Sequence, residues 1–283
     1  MECKPKTVPV LFFVSVVAAL FFTTPAFSQV NIKGRVVYEK DNTPAAYASV
    51  ELLHQKDGEL TNQAGFFSLQ LSKPSKNDTL QISMVGYETL KIPVADALQK
   101  KEFVLSQKTG NLENVTIKAF SKHDVQGSGS ESVGYFRSWN AEHTGGEIGR
   151  IFRLPYKEFK IDKVRFKVSN MCDTCLIRLH MRKVVDGIPD EEIFNDSIST
   201  RIHKLTLDDK VSEFDISAYD FTFRQREIYV SLEVLRCGSI SNQSCYFSFA
   251  GTEKGEYIFK SKAANDWQIV DDYTIYLKLF LRY

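Results

Sequence analysis

The chain has 283 residues, enough for two ordinary domains or one large one. Its 36 basic and 35 acidic residues give a net charge of +1, so the composition gives no reason to expect nucleic acid or an anionic membrane as a partner. The five histidines are scattered, and none lies in an H-x-x-E or H-E-x-x-H arrangement, so the sequence contains no zinc-peptidase motif.

The first 28 residues have the three parts of a cleaved signal peptide. Lys4 and Lys6 form a positive n-region, an apolar run covers residues 10–22, and small residues precede the cleavage site at Ser28. We therefore predict cleavage after Ser28 and export of a mature chain with 34 basic and 34 acidic residues. A transmembrane anchor is the alternative, but the run is short for a span of roughly 20 residues. No other apolar run is long enough to cross a bilayer as a helix.

Residues 29–106 contain short strand-like runs separated by turn residues. The stretch from Asp78 to Leu90 shows the pattern best. Apolar and polar residues alternate from Leu80 to Met84, as in a half-buried strand, and Gly86 then supplies the backbone freedom of a turn. No helical periodicity longer than two turns appears. Strands at this spacing are typical of an antiparallel β-sandwich.

Several short motifs stand in a fixed order along this segment. They are Gly34-Arg-Val-Val, Pro44, Ala48-Ser-Val50, Thr61 to Leu69, Asp78-Thr-Leu, Val85-Gly-Tyr-Glu88 and, further on, Leu112 to Ile117. Together they resemble the carboxypeptidase-regulatory-like domain, a transthyretin-like, CNA-B-type sandwich of seven strands that is common in exported proteins of Bacteroidetes. In that resemblance, Leu112 to Ile117 corresponds to the family's exit strand. The resemblance implies a fold and an exported location.

Domains of this family often precede the plug and barrel of a TonB-dependent receptor or accompany a peptidase domain. The 166 residues after Ile117 are too few for such a receptor, and no zinc-peptidase motif follows. We therefore expect the domain to serve a different module, and the resemblance does not imply peptidase activity.

The segment 107–132 joins the two halves of the chain and contains the exit strand. From Ser121 to Ser132 it is small and polar, which we interpret as a flexible linker. Residues 133–283 then contain about eight to ten strand-like runs, a number that fits a jelly-roll-like double sheet. The expected fold class is all-β, with a seven-stranded sandwich at 29–106 followed by a jelly-roll-like sandwich at 133–283.

The second module also carries a resemblance, on shorter features. They are Glu147-Ile-Gly149, Ile161-Asp-Lys-Val164, Gly187-Ile-Pro189, Phe214-Asp-Ile-Ser217 and Trp267 ahead of the last strand. Their order resembles an exported β-sandwich module that accompanies the first domain in some Bacteroidetes proteins, and jelly rolls of this kind often bind carbohydrate. A small outer-membrane barrel is a competing architecture, because the last eight residues alternate and end in an aromatic residue. Most earlier strand-like runs argue against a barrel, because they carry charges on both faces of the strand or are too short to span a membrane.

Four cysteines follow the predicted cleavage site: Cys172, Cys175, Cys237 and Cys245. The C-x-x-C pair is compatible with a redox site, with half of a four-thiolate zinc site, or with structural disulfides. A redox pair needs a helix N-terminus, whereas this segment runs into a strand, and a zinc site normally has a second short-spaced pair. We favour disulfides and no metal. The predicted pairs are Cys172 with Cys175 and Cys237 with Cys245, since each closes a short loop.

Two tryptophans and two hydroxyl residues are further candidate sites. Trp139 and Trp267 are candidate ligand-binding residues that stack on sugar rings, and a position in the core is the alternative. Thr79 and Ser197 each follow an aspartate and precede an aliphatic residue. This pattern resembles the O-glycosylation signal of exported Bacteroidetes proteins.

No nucleophile, general base or metal constellation is present, so we predict no catalytic residue and no cofactor. The acidic runs 190–192 and 271–272 invite comparison with a glycosidase pair or a calcium site, but solvated loops explain them and no D-x-D-x-D-G loop occurs. The sequence predicts a non-catalytic protein of the periplasm, outer membrane or extracellular space that binds or scaffolds an envelope protein or a glycan. The alternative is a carbohydrate-binding or accessory subunit of a polysaccharide- or peptide-degrading system.

Overall fold

The structure is a computed structural model that describes residues 30–71, 77–108, 120–129, 134–140, 144–170, 172–203, 211–238 and 245–283. The predicted signal peptide (1–28) and exit strand (112–117) lie outside the described residues. Within the described ranges, no helix is long and apolar enough to span a membrane.

The first domain contains seven strands and one short helix. They are β1 (Val30–Tyr38), β2 (Ser49–Leu52), β3 (Asp57–Leu60), β4 (Phe66–Leu71), β5 (Thr79–Ser83), β6 (Leu90–Pro93), α1 (Val94–Ala97) and β7 (Glu102–Leu105). One sheet has the order β4-β1-β7 and the other β3-β2-β5-β6. All pairs are antiparallel except β1 with β7. The described residues therefore confirm the predicted sandwich of seven strands.

The core of the first domain follows from alternation along the strands. Phe67, Leu69 and Leu71 are buried on β4 while the residues between them are exposed. Leu80 and Ile82 repeat this pattern on β5 from the other sheet. Burial of one such side chain contributes about 1.5–3 kcal/mol. The polar faces of β2, β5 and β6 therefore point away from this core.

The second domain contains the remaining strands and one 3₁₀ turn (Ser217–Tyr219). The strands are β8 (His123–Gly127), β9 (Tyr135–Asn140), β10 (Glu147–Arg153), β11 (Lys160–Asn170), β12 (Thr174–Val185), β13 (Ile188–Glu192), β14 (Ile198–His203), β15 (Val211–Asp215), β16 (Glu227–Gly238), β17 (Tyr246–Lys260), β18 (Gln268–Ile275) and β19 (Leu277–Arg282). Their order is β13-β12-β16-β10-β17-β11-β19-β8, and β14, β15, β18 and β9 pair with members of this row.

Neighbouring strands of the second domain are antiparallel and often distant in sequence, as β12 and β16 are. Such crossovers are typical of Greek-key and jelly-roll connections. β11 pairs with β15 and β19 along its first part and with β17 at its end. The all-β fold class is therefore confirmed.

The interpretation of 121–132 as a flexible linker is wrong for residues 123–127. These residues form β8, which pairs with β19 at the end of the row. The segment has no alternation of apolar residues by which a strand could be predicted, and its one aliphatic residue, Val125, is 52% exposed. Asp124 anchors the strand by accepting a hydrogen bond from the hydroxyl of Tyr156. Residues 130–132 lie outside the described part of the chain.

Two strands occur where the sequence indicates only turns. β3 returns from the turn after β2, and β13 returns from the turn after β12. Asp186 and Gly187 both have positive φ, 51° and 78°, as a type I′ hairpin turn requires. The sequence does not indicate β3 and β13 as strands, because neither carries an alternation of apolar and polar residues.

Candidate functional site

The two domains contact each other over several polar groups. Lys56 of the first domain forms an ion pair with Asp266 of the second. The Nζ of Lys262 lies 3.4 Å from a carboxylate oxygen of Asp57. The turn between β5 and β6 also reaches the second domain, because a Cβ added at Gly86 would lie 2.4 Å from the carbonyl oxygen of Asn195.

A cavity of about 680 Å³ lies between the two domains. Its first wall is the outward face of the β2-β5-β6 sheet, which presents Ser49, Glu51, Gln81 and Lys91. Ser49 and Gln81 both donate hydrogen bonds to the carboxylate of Glu51, at 2.6 and 3.4 Å. This wall is therefore polar, as expected for the face of a sheet that points away from its core.

The second wall is formed by charged residues on neighbouring strands. We call them the charge cluster: Glu147 on β10, Arg178, His180 and Arg182 on β12, Glu192 on β13, Glu233 on β16 and Lys260 on β17. Alternation along β12 explains the arrangement, because residues two positions apart share one face of a strand. Ile177, Leu179 and Met181 on the opposite face belong to the hydrophobic core.

His180 lies at the centre of the charge cluster, between two carboxylates. Its Nδ1 is 2.5 Å from Oε1 of Glu192, and its Nε2 is 2.8 Å from Oε2 of Glu233. Both ring nitrogens thus face acceptors, which suits the doubly protonated imidazolium. Burial disfavours this charge, but Glu147, Glu192 and Glu233 outweigh it and raise the pKa of His180 to about 9.

Glu147 is the most deeply buried acid of the cluster, with a side chain only 1% exposed. Its carboxylate accepts hydrogen bonds from Ser231 Oγ at 2.5 Å and from Arg182 at 3.1 and 3.2 Å. Lys260 Nζ lies 3.5 Å away. Burial alone would raise the pKa of Glu147, yet Arg182, His180 and Lys260 together lower it below its usual value.

Arg178 connects the charge cluster to the first domain. Its Nη1 donates to Glu233 at 3.3 Å, and its Nη2 donates to the backbone carbonyl of Tyr47 at 3.1 Å. The Arg178 side chain is 5% exposed and that of Glu233 is 7% exposed, so this ion pair is buried. Arg178 and His180 hold the pKa of Glu233 below its usual value against the effect of burial.

The pKa shifts in the cluster differ from those of a glycosidase acid–base pair. A glycosidase needs one carboxyl group whose pKa is raised so that it can act as the acid. The shifts of Glu147 and Glu233 are both downward, and His180 is a cation at neutral pH rather than a base. The four cationic and three anionic side chains instead pair with each other, which fits a binding wall or a contact between domains.

Trp267 lies beside the charge cluster, while Trp139 is in the core. The Nζ of Lys260 is 4.7 Å from the centroid of the Trp267 ring, and the Arg182 guanidinium is 5.8 Å from it. Trp267 is half-buried and remains a candidate ligand-binding residue. The interpretation of Trp139 as a stacking surface is wrong, because its side chain is 6% exposed and packs edge-on against Phe249.

The disulfides are present, but the predicted connectivity is wrong. Cys172 is bonded to Cys245, and Cys175 is bonded to Cys237. The reason is strand pairing, since Cys175 on β12 lies directly opposite Cys237 on β16. The thiol sulfurs of Cys172, Cys175 and Cys237 lie within 4.8 Å of each other, as a metal site would require, but these atoms are taken up in disulfide bonds.

The two hydroxyl candidates differ in accessibility. Ser197 and its preceding Asp196 are exposed in the loop before β14, so Ser197 remains an O-glycosylation candidate. Thr79 is half-buried at the start of β5. Asp78 before it is 2% exposed and accepts hydrogen bonds from the backbone and ring of His54, so it has a structural role.

The charge cluster was not predicted from the sequence. The signal was the alternation of Arg178, His180 and Arg182 in a predicted strand, which places three cationic side chains on one face. Glu192, in an acidic run interpreted as a solvated loop, is in fact a partner of His180. The acids on β10 and β16 become neighbours of β12 only through strand pairing.

A family model matches the first domain, and two solved structures are similar to most of the chain. The family model of the CarboxypepD_reg-like domain matches residues 32–117, whereas a search of curated proteins finds no match. One structure of the Clostridial cysteine protease Cwp84, after propeptide cleavage, is similar at a TM-score of 0.41 and 12% identity, over 92% of this chain and 72% of that chain.

A second structure contains the cysteine protease and lectin-like domains of Cwp84, described as a surface layer associated protein of Clostridium difficile. It is similar at a TM-score of 0.35 and 10% identity, over 90% of this chain and 58% of that chain. At these scores neither similarity supports a conclusion about function. The family match over residues 32–117 confirms a carboxypeptidase-regulatory-like domain in the first part of this chain.

Proposed function

We propose that this protein is an exported, non-catalytic binding or scaffolding protein whose two β domains form one unit around a polar cleft. The observation that carries this proposal is the charge cluster. It lies where the domains meet, and its acids and bases are paired with each other.

The disulfides support the exported location. Cys172–Cys245 and Cys175–Cys237 both cross-link segments of the second domain. Such bonds form and persist in oxidising compartments such as the periplasm or the extracellular space. The predicted signal peptide also supports export to such a compartment.

The cleft fits a polar ligand. Its walls carry charges of both signs together with hydroxyl and amide groups, so a ligand that both donates and accepts hydrogen bonds suits it better than an apolar one. Its volume of about 680 Å³ falls within the roughly 300–1,000 Å³ of small-molecule sites. A segment of an envelope protein or a glycan has this chemistry.

The proposal is tested with the mature chain, immobilised and exposed to solubilised envelope material. Lys91→Glu reverses a charge on the cleft wall, and Lys101→Glu makes the same change at an exposed position outside the cleft. We expect the captured ligand to be lost with Lys91→Glu and retained with Lys101→Glu. Turnover of a polysaccharide or peptide substrate that disappears in Glu147→Gln would overturn the non-catalytic assignment.

The second candidate function is that of a carbohydrate-binding accessory subunit of a polysaccharide- or peptide-degrading system. The half-buried ring of Trp267 beside the cleft favours it, because an indole ring packs on the apolar face of a sugar. Glycan binding that is lost in Trp267→Ala supports this function. Glycan binding that is unchanged by Trp267→Ala removes this residue from the site.

A further inference from the structure

One end of the second domain carries an aromatic pocket that is separate from the cleft. Its volume is about 700 Å³, and it is lined by Phe120, Tyr156, Tyr283, Glu158 and Arg224 together with Pro155 and Lys157. Within the described residues, none of these belongs to the charge cluster or to the wall of the first domain. The pocket therefore offers a second surface with its own chemistry.

Strand pairing brings the pocket residues together from four segments. Tyr156 and Glu158 lie between β10 and β11, and Arg224 lies before β16. Phe159 and Phe223 exchange backbone hydrogen bonds of 3.1 and 2.8 Å, which holds these two loops side by side. Lys122 and Tyr283 likewise exchange backbone bonds of 3.3 and 3.0 Å, so that Phe120 and Tyr283 reach the same end.

The aromatic side of the pocket is preorganised. The rings of Tyr156 and Tyr283 stack with centroids 3.9 Å apart and an interplanar angle of 21°. The Tyr156 hydroxyl donates to Asp124, which fixes the orientation of its ring. Phe120, Tyr156 and Tyr283 are all half-buried, so each is held by the protein and still presents surface to solvent. Rigid aromatic surface of this kind costs little conformational entropy on binding.

The polar side of the pocket is a paired acid and base. Arg224 Nε donates to Glu158 Oε1 at 3.2 Å, and their side chains are 48% and 25% exposed. The pair places a guanidinium donor and a carboxylate acceptor next to each other beside the rings. Adjacent hydroxyl groups of a sugar need both a donor and an acceptor, while the C–H face of a pyranose needs a flat apolar surface.

We propose that this pocket is a saccharide-binding site that takes a neutral pyranose unit of a glycan. Tyr156 and Phe120 contact the apolar face of the sugar, Tyr283 supports the Tyr156 ring from behind, and Arg224 and Glu158 bond the sugar hydroxyl groups. The inference rests on the proposed binding role of the protein. It narrows the ligand to a neutral pyranose unit and gives that ligand a location. A proline-rich peptide is the competing occupant of an aromatic groove, but it offers no pair of adjacent hydroxyl groups for Arg224 and Glu158.

The test measures binding of the mature chain to neutral gluco-, manno- and xylo-oligosaccharides by titration calorimetry. Arg224→Ala and Tyr156→Ala each remove one side of the pocket, and we expect about tenfold weaker binding for each. Tyr156→Phe keeps the ring but loses the bond to Asp124, so we expect it to bind more weakly than the parent and more tightly than Tyr156→Ala. Tyr219→Ala removes a 45% exposed tyrosine outside the pocket and is the matched control.

Three outcomes overturn the inference. They are the absence of binding to every oligosaccharide, binding that Arg224→Ala and Tyr156→Ala leave unchanged, and displacement of the sugar by proline-rich peptides at lower concentration. Loss of binding only in Lys91→Glu moves the sugar to the cleft and leaves the proposed function in place. Envelope capture that Lys91→Glu leaves unchanged, with sugar binding intact, contradicts the ligand site in the cleft and leaves the saccharide site in place. The proposed function and the proposed saccharide site can therefore be disproved independently of each other.

Discussion

The imidazole of His180 lies against the carboxylate of Glu233, with Nε2 of the former 2.8 Å from Oε2 of the latter. The other ring nitrogen faces Glu192, so His180 forms ion pairs on both sides. The contact is buried and closes the wall of the cleft next to Arg178, which bonds the first domain. Protonation of His180 therefore stabilises the packing of the second domain and its contact with the first domain.

The first prediction concerns alkaline pH. The pKa of His180 is raised from 6.5 to about 9 in the folded protein. Its stabilising contribution is therefore fully present below pH 6.5 and is lost as the pH rises through about 9. A shift of this size corresponds to about 3 kcal/mol. Chemical unfolding at pH 6, 7, 8 and 9 measures the change. Glu192, Glu233 and Glu147 face the ring from three other strands.

His180→Gln should abolish most of this pH dependence and lower the stability at pH 6. His203→Gln, which changes an exposed histidine on β14, is the control and should keep the wild-type pH profile. A free energy of unfolding that is flat between pH 6.5 and 9 in the wild type would contradict the imidazolium assignment.

The second prediction concerns the buried acids. Glu233→Gln removes the charge that balances Arg178 and His180, and an uncompensated buried charge costs about 3–5 kcal/mol. Glu191→Gln breaks an exposed ion pair with Lys183 and should change the stability little, because solvent screens this pair. The measurement is the free energy of unfolding in urea at pH 7. Equal effects of the two substitutions would show that the cluster is solvated.

The third prediction concerns the contact between the domains. Gly86 and Gly187 have φ of 83° and 78°, so alanine is strained by a similar amount, about 1 kcal/mol, at each position. The new Cβ at Gly86 would lie 2.4 Å from the carbonyl oxygen of Asn195, whereas nothing lies within 4 Å at Gly187. We expect Gly86→Ala to lower stability by at least about 1 kcal/mol more than Gly187→Ala.

Differential scanning calorimetry distinguishes the two glycine variants. Because Gly86→Ala pushes the domains apart, we expect it to separate the unfolding of the domains into two transitions. Gly187→Ala should keep the wild-type transition shape at a slightly lower Tm. Identical thermograms for the two variants would mean that the turn between β5 and β6 does not contact the second domain.

The fourth prediction concerns the disulfides. Peptide mapping without reduction should recover Cys172 linked to Cys245 and Cys175 linked to Cys237. Removing the pair Cys172 and Cys245 together should cost about 2–4 kcal/mol, the usual contribution of a native disulfide. A peptide that links Cys172 to Cys175 would show that the strands around them pair differently.

Local patterns in the sequence are enough to establish the fold class and the first domain. Alternation from Leu80 to Met84 and in β4 predicts half-buried strands, and the order of the glycine and proline motifs identifies the family that the comparison confirms over 32–117. Strand alternation and turn chemistry are local properties, because they depend only on residues within a few positions. They are therefore visible in the chain itself.

Tertiary structure decided which residues meet. Glu147, His180 and Glu233 lie on three strands that are far apart in sequence, and only the order β12-β16-β10 makes them neighbours. The same pairing sets Cys175 opposite Cys237 and overrides the short loops favoured by the sequence. Side chains on paired strands are a few ångströms apart whatever their separation in sequence. The sequence by itself thus determined the two β modules, while strand pairing and domain contact decided the disulfides, the cleft and the aromatic pocket.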